Sequence, residues 1–147
     1  MLNHNIFFSC SHNKYIIAGD IYNDDGSSAG TIFNDEPIPE PSGNMRAHHD
    51  AKGLISLVPF KDEATDKICY DSTFMITLYD QPTDLMEELD ADQIVIGKIY
   101  SGIEVIEKIN KLLFPFAGKK YPKFKIEKSG LLNSQSKKRN GPIETSK

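Results

Sequence analysis

The apolar residues of this chain come in short runs, and only one stretch keeps a helical period. Ile103, Ile106, Ile109 and Leu113 fall on one face. Ser101 and Glu104 stand at capping-box spacing before them. Pro115 must end the helix, and Lys108 and Lys111 near its end suit the helix dipole. Upstream, the β-prone runs are Ile6–Cys10, Tyr15–Ile17, Thr31–Phe33, Gly53–Val58, Ser72–Leu78 and Gln93–Ile99, the last with Gly97 inside it; Phe124–Glu127 adds one more short strand downstream. Asp20–Gly30 is dense in turn residues, and Pro37, Pro39 and Pro41 make Asn34–Met45 an extended surface loop. Pro59 is expected to end its strand, Phe60–Asp71 reads as a charged loop, and the stretch around Pro82 reads as a polar loop. Many short strands and one late helix predict an antiparallel β-barrel or an α+β fold.

At 147 residues the chain suits one domain, expected over residues 1–132, with a polar disordered tail over 133–147. No apolar run approaches the roughly 20 residues of a membrane helix. The N-terminus lacks the basic and apolar regions of a secretory signal. Cys10 and Cys69 form no CxxC pair, so zinc and redox readings have no support. Two buried thiols in a reducing compartment are expected, hence an intracellular protein, cytoplasmic or nuclear. The first 107 residues carry 19 acidic and six basic side chains, and the last 40 carry two and eleven. Such a split points to a basic partner for the body or an acidic one for the tail, unless the halves merely offset each other for solubility.

Several motifs fail on inspection. The loop Ile21–Ile32 has Asn23, Asp25 and Gly26 at EF-hand offsets, but Ile21 and Ile32 would occupy ligand positions and cannot bind calcium. His48 and His49 are adjacent, a poor arrangement for converging on one metal, and read as surface-loop residues. No GxSxG, P-loop or GxGxxG occurs, and nothing local arranges a Ser/His/Asp triad. Lys137–Lys138–Arg139 is a short basic run that reads as solvated tail rather than a nucleic-acid contact or an import signal. Neither metal nor cofactor is expected.

An ordered set of segments resembles the cyclophilins. Residues 17–30 (IAGDIYNDDGSSAG) are similar to the family's QGGD segment and Gly-rich loop, and Thr31–Phe33 to the Ser-Ile-Tyr/Phe that follows. Residues 46–56 (RAHHDAKGLIS) resemble RLRHTGRGVLS, and residues 72–78 (STFMITL) resemble SQFFITL. Residues 89–98 (LDADQIVIGK) match LDGKHVVFGK, and residues 102–109 (GIEVIEKI) match GMEVVEKI. The resemblance implies a closed eight-stranded barrel capped by two helices, with an apolar groove that holds an X–Pro peptide. Prolyl isomerisation faces a barrier of roughly 18–20 kcal/mol from amide resonance. In the family an arginine hydrogen-bonded to the proline nitrogen would weaken that resonance, and apolar walls would hold the ring.

Carried over residue by residue, the resemblance replaces the catalytic parts. The arginine position is Ser9, a short neutral hydroxyl. The glutamine before Gly-Gly-Asp is Ile17, the first Gly is Ala18, and the aromatic and Met lining upstream are Lys14 and Tyr15. Met-Ala-Asn becomes Leu57, Val58 and Pro59; the groove glutamine becomes Thr73 and the phenylalanine under the proline ring Met75. Trp-Leu-Asp reads Glu88, Leu89, Asp90, and the pocket histidine is Gln93. Barrel positions Ile55, Leu57, Phe74, Ile76, Val95 and Ile99 stay apolar. Losing one preorganised donor costs about 10²–10³ in rate, whereas Met75 can still fill an apolar pocket.

The resemblance implies a peptidyl-prolyl cis-trans isomerase family member that lacks the family's first two strands and first helix. The expectation is weak or no isomerase activity and a role in binding a proline-containing, basic peptide or protein. Groove candidates are Ile17, Val58, Pro59, Thr73, Met75, Glu88, Leu89 and Gln93. Glutamate at the tryptophan position also occurs in some spliceosomal cyclophilins regarded as scaffolds, an analogy to a ribonucleoprotein assembly, without direct nucleic-acid contact and without a membrane. An active isomerase assisting folding and a truncated remnant are the alternatives.

Overall fold

The computed structural model describes residues 5–23, 25–26, 30–31, 36–41, 47–81, 84–113 and 123–131. The expected tail 133–147, residues 32–33 of the expected third strand and the start of the 46–56 segment lie outside them. The elements are β1 (Phe7–Ser11), β2 (Tyr15–Ala18), β3 (Ile38–Pro39), β4 (Leu54–Asp62), β5 (Lys67–Thr77), α1 (Leu85–Asp92), β6 (Ile94–Lys98) and α2 (Ile103–Leu113). The sheet order is β1-β2-β5-β4-β6, every pairing is antiparallel, and β3 joins β5 to the side. The mainly-β expectation holds. The closed barrel does not: among the described residues β6 and β1 end the sheet. Residues 124–126 line the outer side of β1 through an isolated Ile6–Lys125 bridge, less than the strand expected at 124–127.

The longest pairing corrects the sequence reading. Pro59 does not end β4, and residues 60–71 are not a loop. The β4–β5 hairpin runs from Phe60↔Cys69 to Asp62↔Lys67. A turn closes it, with Asp66 at φ +59° and its N–H donating to the Asp62 carbonyl at 2.8 Å. Proline is tolerated because the register breaks there: Leu57 pairs with Phe74, but Pro59 with Tyr70. At such an irregularity a missing N–H breaks no regular ladder. On β5 the extra residues between these pairs are Asp71–Thr73. They are held by Ser72 N–H to the Gly30 carbonyl (3.0 Å), Ser72 Oγ to the Gly19 carbonyl (2.6 Å) and Thr73 N–H to Asp71 Oδ1 (2.7 Å).

The helices divide the core. Ile103, Ile106, Ile109 and Leu113 of α2 pack with Phe7, Ile16, Ala18, Ile76 and Leu78, as their period predicts. The capping box does not form as read, because Gly102, at φ +88°, is not helical and α2 starts at Ile103. Asn110, 1% exposed, stitches α2 to the β1–β2 turn. Its Nδ2 donates to the Ser11 and Tyr15 carbonyls at 3.1 Å, and its Oδ1 accepts from Asn13 N–H. Helix α1 stands where a polar loop was expected. It has only two turns and three apolar residues, Leu85, Met86 and Leu89, too few to declare a period. These three build a second cluster with Met75, Tyr79, Tyr15, Ile17 and Val58. No helix among the described residues is long and apolar enough to cross a membrane.

Candidate functional site

The turn-rich loop after β2 is built around one carboxylate. Asp20 is fully buried and accepts N–H bonds from Tyr22 (3.1 Å) and Asn23 (2.9 Å) at one oxygen, and from Asp25 (3.2 Å) and Gly26 (2.8 Å) at the other. Burial pushes its pKa up, but the four backbone donors outweigh burial and bring it down to about 2. Asn5 anchors the same corner, accepting from Gly19 N–H at 2.7 Å and donating to the Asp20 carbonyl. Gly19, at φ +110°, is required here: a Cβ on it would lie 2.8 Å from Thr73 Cα.

Across the sheet, Ser9 pairs with Ile17, Ile17 with Met75, and Met75 with Ser56. Directly paired residues share a face, so Ser9 stands in the row of Ile17 and Met75. Ser9 itself is exposed. Met75 is 1% exposed and Leu89 5%, sealed by the cluster that α1 completes. Four sequence candidates thus come together: Ile17, Val58, Met75 and Leu89. Val58 and Thr73 lie within the register break, while Pro59 lies past it, opposite Tyr70. Glu88 points from α1 to solvent. Gln93 caps α1, its N–H donating to the Leu89 carbonyl at 2.9 Å, and its side-chain Oε1 is buried without a donor.

Beneath α1 lies an arrangement that the sequence reading missed. His49 is not a surface-loop residue. It is fully buried, with Nδ1 2.7 Å from Asp90 Oδ1 and Nε2 2.7 Å from Ser56 Oγ. Its backbone N–H also reaches Asp90 Oδ1 at 2.8 Å. Exposed His48 places Nδ1 2.8 Å from Asp90 Oδ2. The order Ser–His–Asp has the connectivity of a hydrolytic triad, but Ser56 and His49 are both 0% exposed, so no substrate carbonyl reaches the hydroxyl. The chain of bonds is a tie: it fastens α1, through Asp90, to β4, through Ser56.

Electrostatics follow this geometry. Burial opposes ionisation of Asp90, but hydrogen bonds from His48 and His49 hold its carboxyl below the ordinary range. The Asp90 hydrogen bond, with its charge, raises the pKa of His48. Tyr79 donates to the His49 carbonyl, and burial, with the Asp90 and Asp50 carboxylates, pushes its phenol up to about 12. The signal for His49 was present in the sequence. It falls on the histidine of the RLRHTGRGVLS-like segment, and Asp90 on the aspartate of the Leu-Asp motif, but 41 residues separate them. Among the described residues no three His, Cys, Asp or Glu side chains gather as a metal site.

Comparison with known proteins agrees with this architecture. The family model described as cyclophilin type peptidyl-prolyl cis-trans isomerase/CLD matches residues 2–131. A structural PPIase-like protein of Acanthamoeba polyphaga mimivirus is 51% identical over 139 residues, covering 93% of this chain. The chain spans 59% of that relative's length. The crystal structure of the mimivirus cyclophilin superposes with a TM-score of 0.76 at 47% identity, over 95% of this chain and 69% of that one. With an antiparallel sheet, two helices and the ordered motifs in common, this chain belongs to the cyclophilin-type peptidyl-prolyl cis-trans isomerase family.

Proposed function

We propose that this chain is a cyclophilin-like binding module that holds a proline-containing peptide or protein and isomerises it weakly or not at all. The observation that carries the reading is the row Ser9–Ile17–Met75. At the head of that row a catalyst needs a charged donor aimed at the proline nitrogen. A serine hydroxyl is neutral and too short to replace a guanidinium. Without that donor, a rate loss of about 10²–10³ is expected. The apolar partners Ile17, Val58, Met75 and Leu89 supply a surface for a proline ring once α1 yields. The mimivirus relative is itself named a structural PPIase-like protein, which fits a role in assembly rather than turnover. Free Cys10 and Cys69 fit a reducing, intracellular setting.

The test is exchange NMR on a short X–Pro peptide with the full chain added. The expected result is movement of the Leu89 and Gln93 amides on titration, with no acceleration of cis/trans exchange. Exchange accelerated by the chain and abolished in Met75→Ala would overturn the reading in favour of an active isomerase.

A further inference from the structure

Helix α1 and its flanks carry Asp84, Glu87, Glu88, Asp90 and Asp92 with no basic residue. His48 and His49 engage Asp90, and the other four carboxylates are exposed. The helix lies over Met75 through Leu89. At its C-terminus the buried Gln93 Oε1 lacks a donor, a deficit of about 1–3 kcal/mol that an incoming N–H would remove. An anionic helix over an apolar cluster, ending in an unmet acceptor, suits a cationic segment with a proline. The chain contains one: Lys137–Lys138–Arg139–Asn140–Gly141–Pro142, three cations followed by an X–Pro bond with the smallest possible X.

We propose that this Lys137–Pro142 segment is the ligand of its own groove, with Pro142 against the Met75 cluster and the basic run on the acidic face of α1. The inference rests on the groove reading given above. The reach is sufficient. Residues 124–126 lie beside β1, three strand spacings from β5 and so about 14 Å across the sheet. The eleven residues from Leu131 to Pro142 extend up to about 36–40 Å. Charge favours the contact, since 19 acidic and six basic residues precede residue 108 while two acidic and eleven basic ones follow from there. A ligand tethered this closely has an effective concentration in the millimolar range, so it would shield the groove from weak competitors and yield to tight ones.

The experiment compares the full chain with a full-length variant carrying Lys137→Glu, Lys138→Glu, Arg139→Glu and Pro142→Ala, by amide NMR and by titration of a neutral X–Pro peptide. The expected results are displaced Leu89–Gln93 amides and a displaced Gln93 side-chain amide in the variant, and roughly tenfold tighter peptide binding to it. Identical spectra and equal affinity would overturn the inference and leave the groove reading standing. Failure of the peptide to bind either protein would remove the groove reading and the inference together. Shifts that vanish on dilution of the parent chain would assign the contact to a second copy and overturn self-docking.

Discussion

His49 Nε2 and Ser56 Oγ lie 2.7 Å apart with both residues fully buried. With Nδ1–H donated to Asp90, a neutral His49 accepts the Ser56 hydroxyl proton at Nε2, so every polar atom of the pair is used. The tie replaces apolar packing where a two-turn helix alone has little, and it is the reason α1 stays over Met75.

Asp90→Asn is expected to loosen this tie. Removing one partner from buried polar groups costs about 1–3 kcal/mol, to be read from urea denaturation. The pH dependence has two arms. The Asp90 carboxyl is depressed, so its contribution is present above about pH 4 and fades as pH falls through the lowered value. His48 is raised, so its pairing is complete below about pH 6.5 and is lost as pH rises through the raised value. NMR titration of the His48 ring should show its pKa falling back towards the ordinary value in Asp90→Asn. An unchanged His48 titration would show that the contact is not made.

Asp20→Asn is expected to destabilise the chain by about 1–3 kcal/mol, because an amide oxygen cannot serve four backbone donors as a carboxylate does. The folded pKa of about 2 lies below the unfolded value. The stabilisation is therefore present above about pH 4 and lost as pH falls towards 2. Acid unfolding followed by circular dichroism should show a shallower loss below pH 4 in the variant than in the parent.

Gly19→Ala addresses the register break. The residue sits at φ +110°, and its Cβ would meet the Ser72 carbonyl and the Thr73 backbone. The obstacle is backbone, so the strand must shift. A loss of at least about 2 kcal/mol is expected, with the Thr73 and Met75 amides displaced most. A thermally unchanged variant would mean that the bulge at Asp71–Thr73 is not held where it stands.

What the sequence disclosed, and what it hid, follows from the length scale of each signal. Ile103, Ile106, Ile109 and Leu113 repeat over three turns, so α2 was readable; α1 spans two turns with Leu85, Met86 and Leu89 only, so it was not. Pro59 reads as a terminator because proline lacks an N–H. The register break that accommodates it is a property of the pairing with Tyr70 and Phe74, which no local pattern announces. Ile17, Val58, Met75 and Leu89 were placed together by family motifs rather than by period, and the fold brings them into one cluster. His49 was misread because its partners, Ser56 and Asp90, lie on two other elements.

Met75→Ala separates a sealed cluster from an open groove. At 1% exposure Met75 is packed as core, and truncating a buried methionine costs about 2–5 kcal/mol. In an open groove the same change would cost little. Urea denaturation of the variant distinguishes the two, and a loss under about 1 kcal/mol would show that α1 does not cover the residue in solution.

Ser9→Arg tests whether catalysis was lost at one position. Ser9 is exposed on β1, so a long side chain can be accommodated without burying its charge. Its register opposite Ile17 puts the new guanidinium in the row that leads to Met75. If the missing donor is the principal defect, exchange NMR on an X–Pro peptide should show a gain within the 10²–10³ range that one preorganised donor supplies. If Ser9→Arg folds, binds the peptide and still leaves the exchange rate unchanged, the defect lies with the sealed cluster of Ile17, Val58, Met75 and Leu89. In that case, adding Asp90→Asn to release α1 should be what restores the rate.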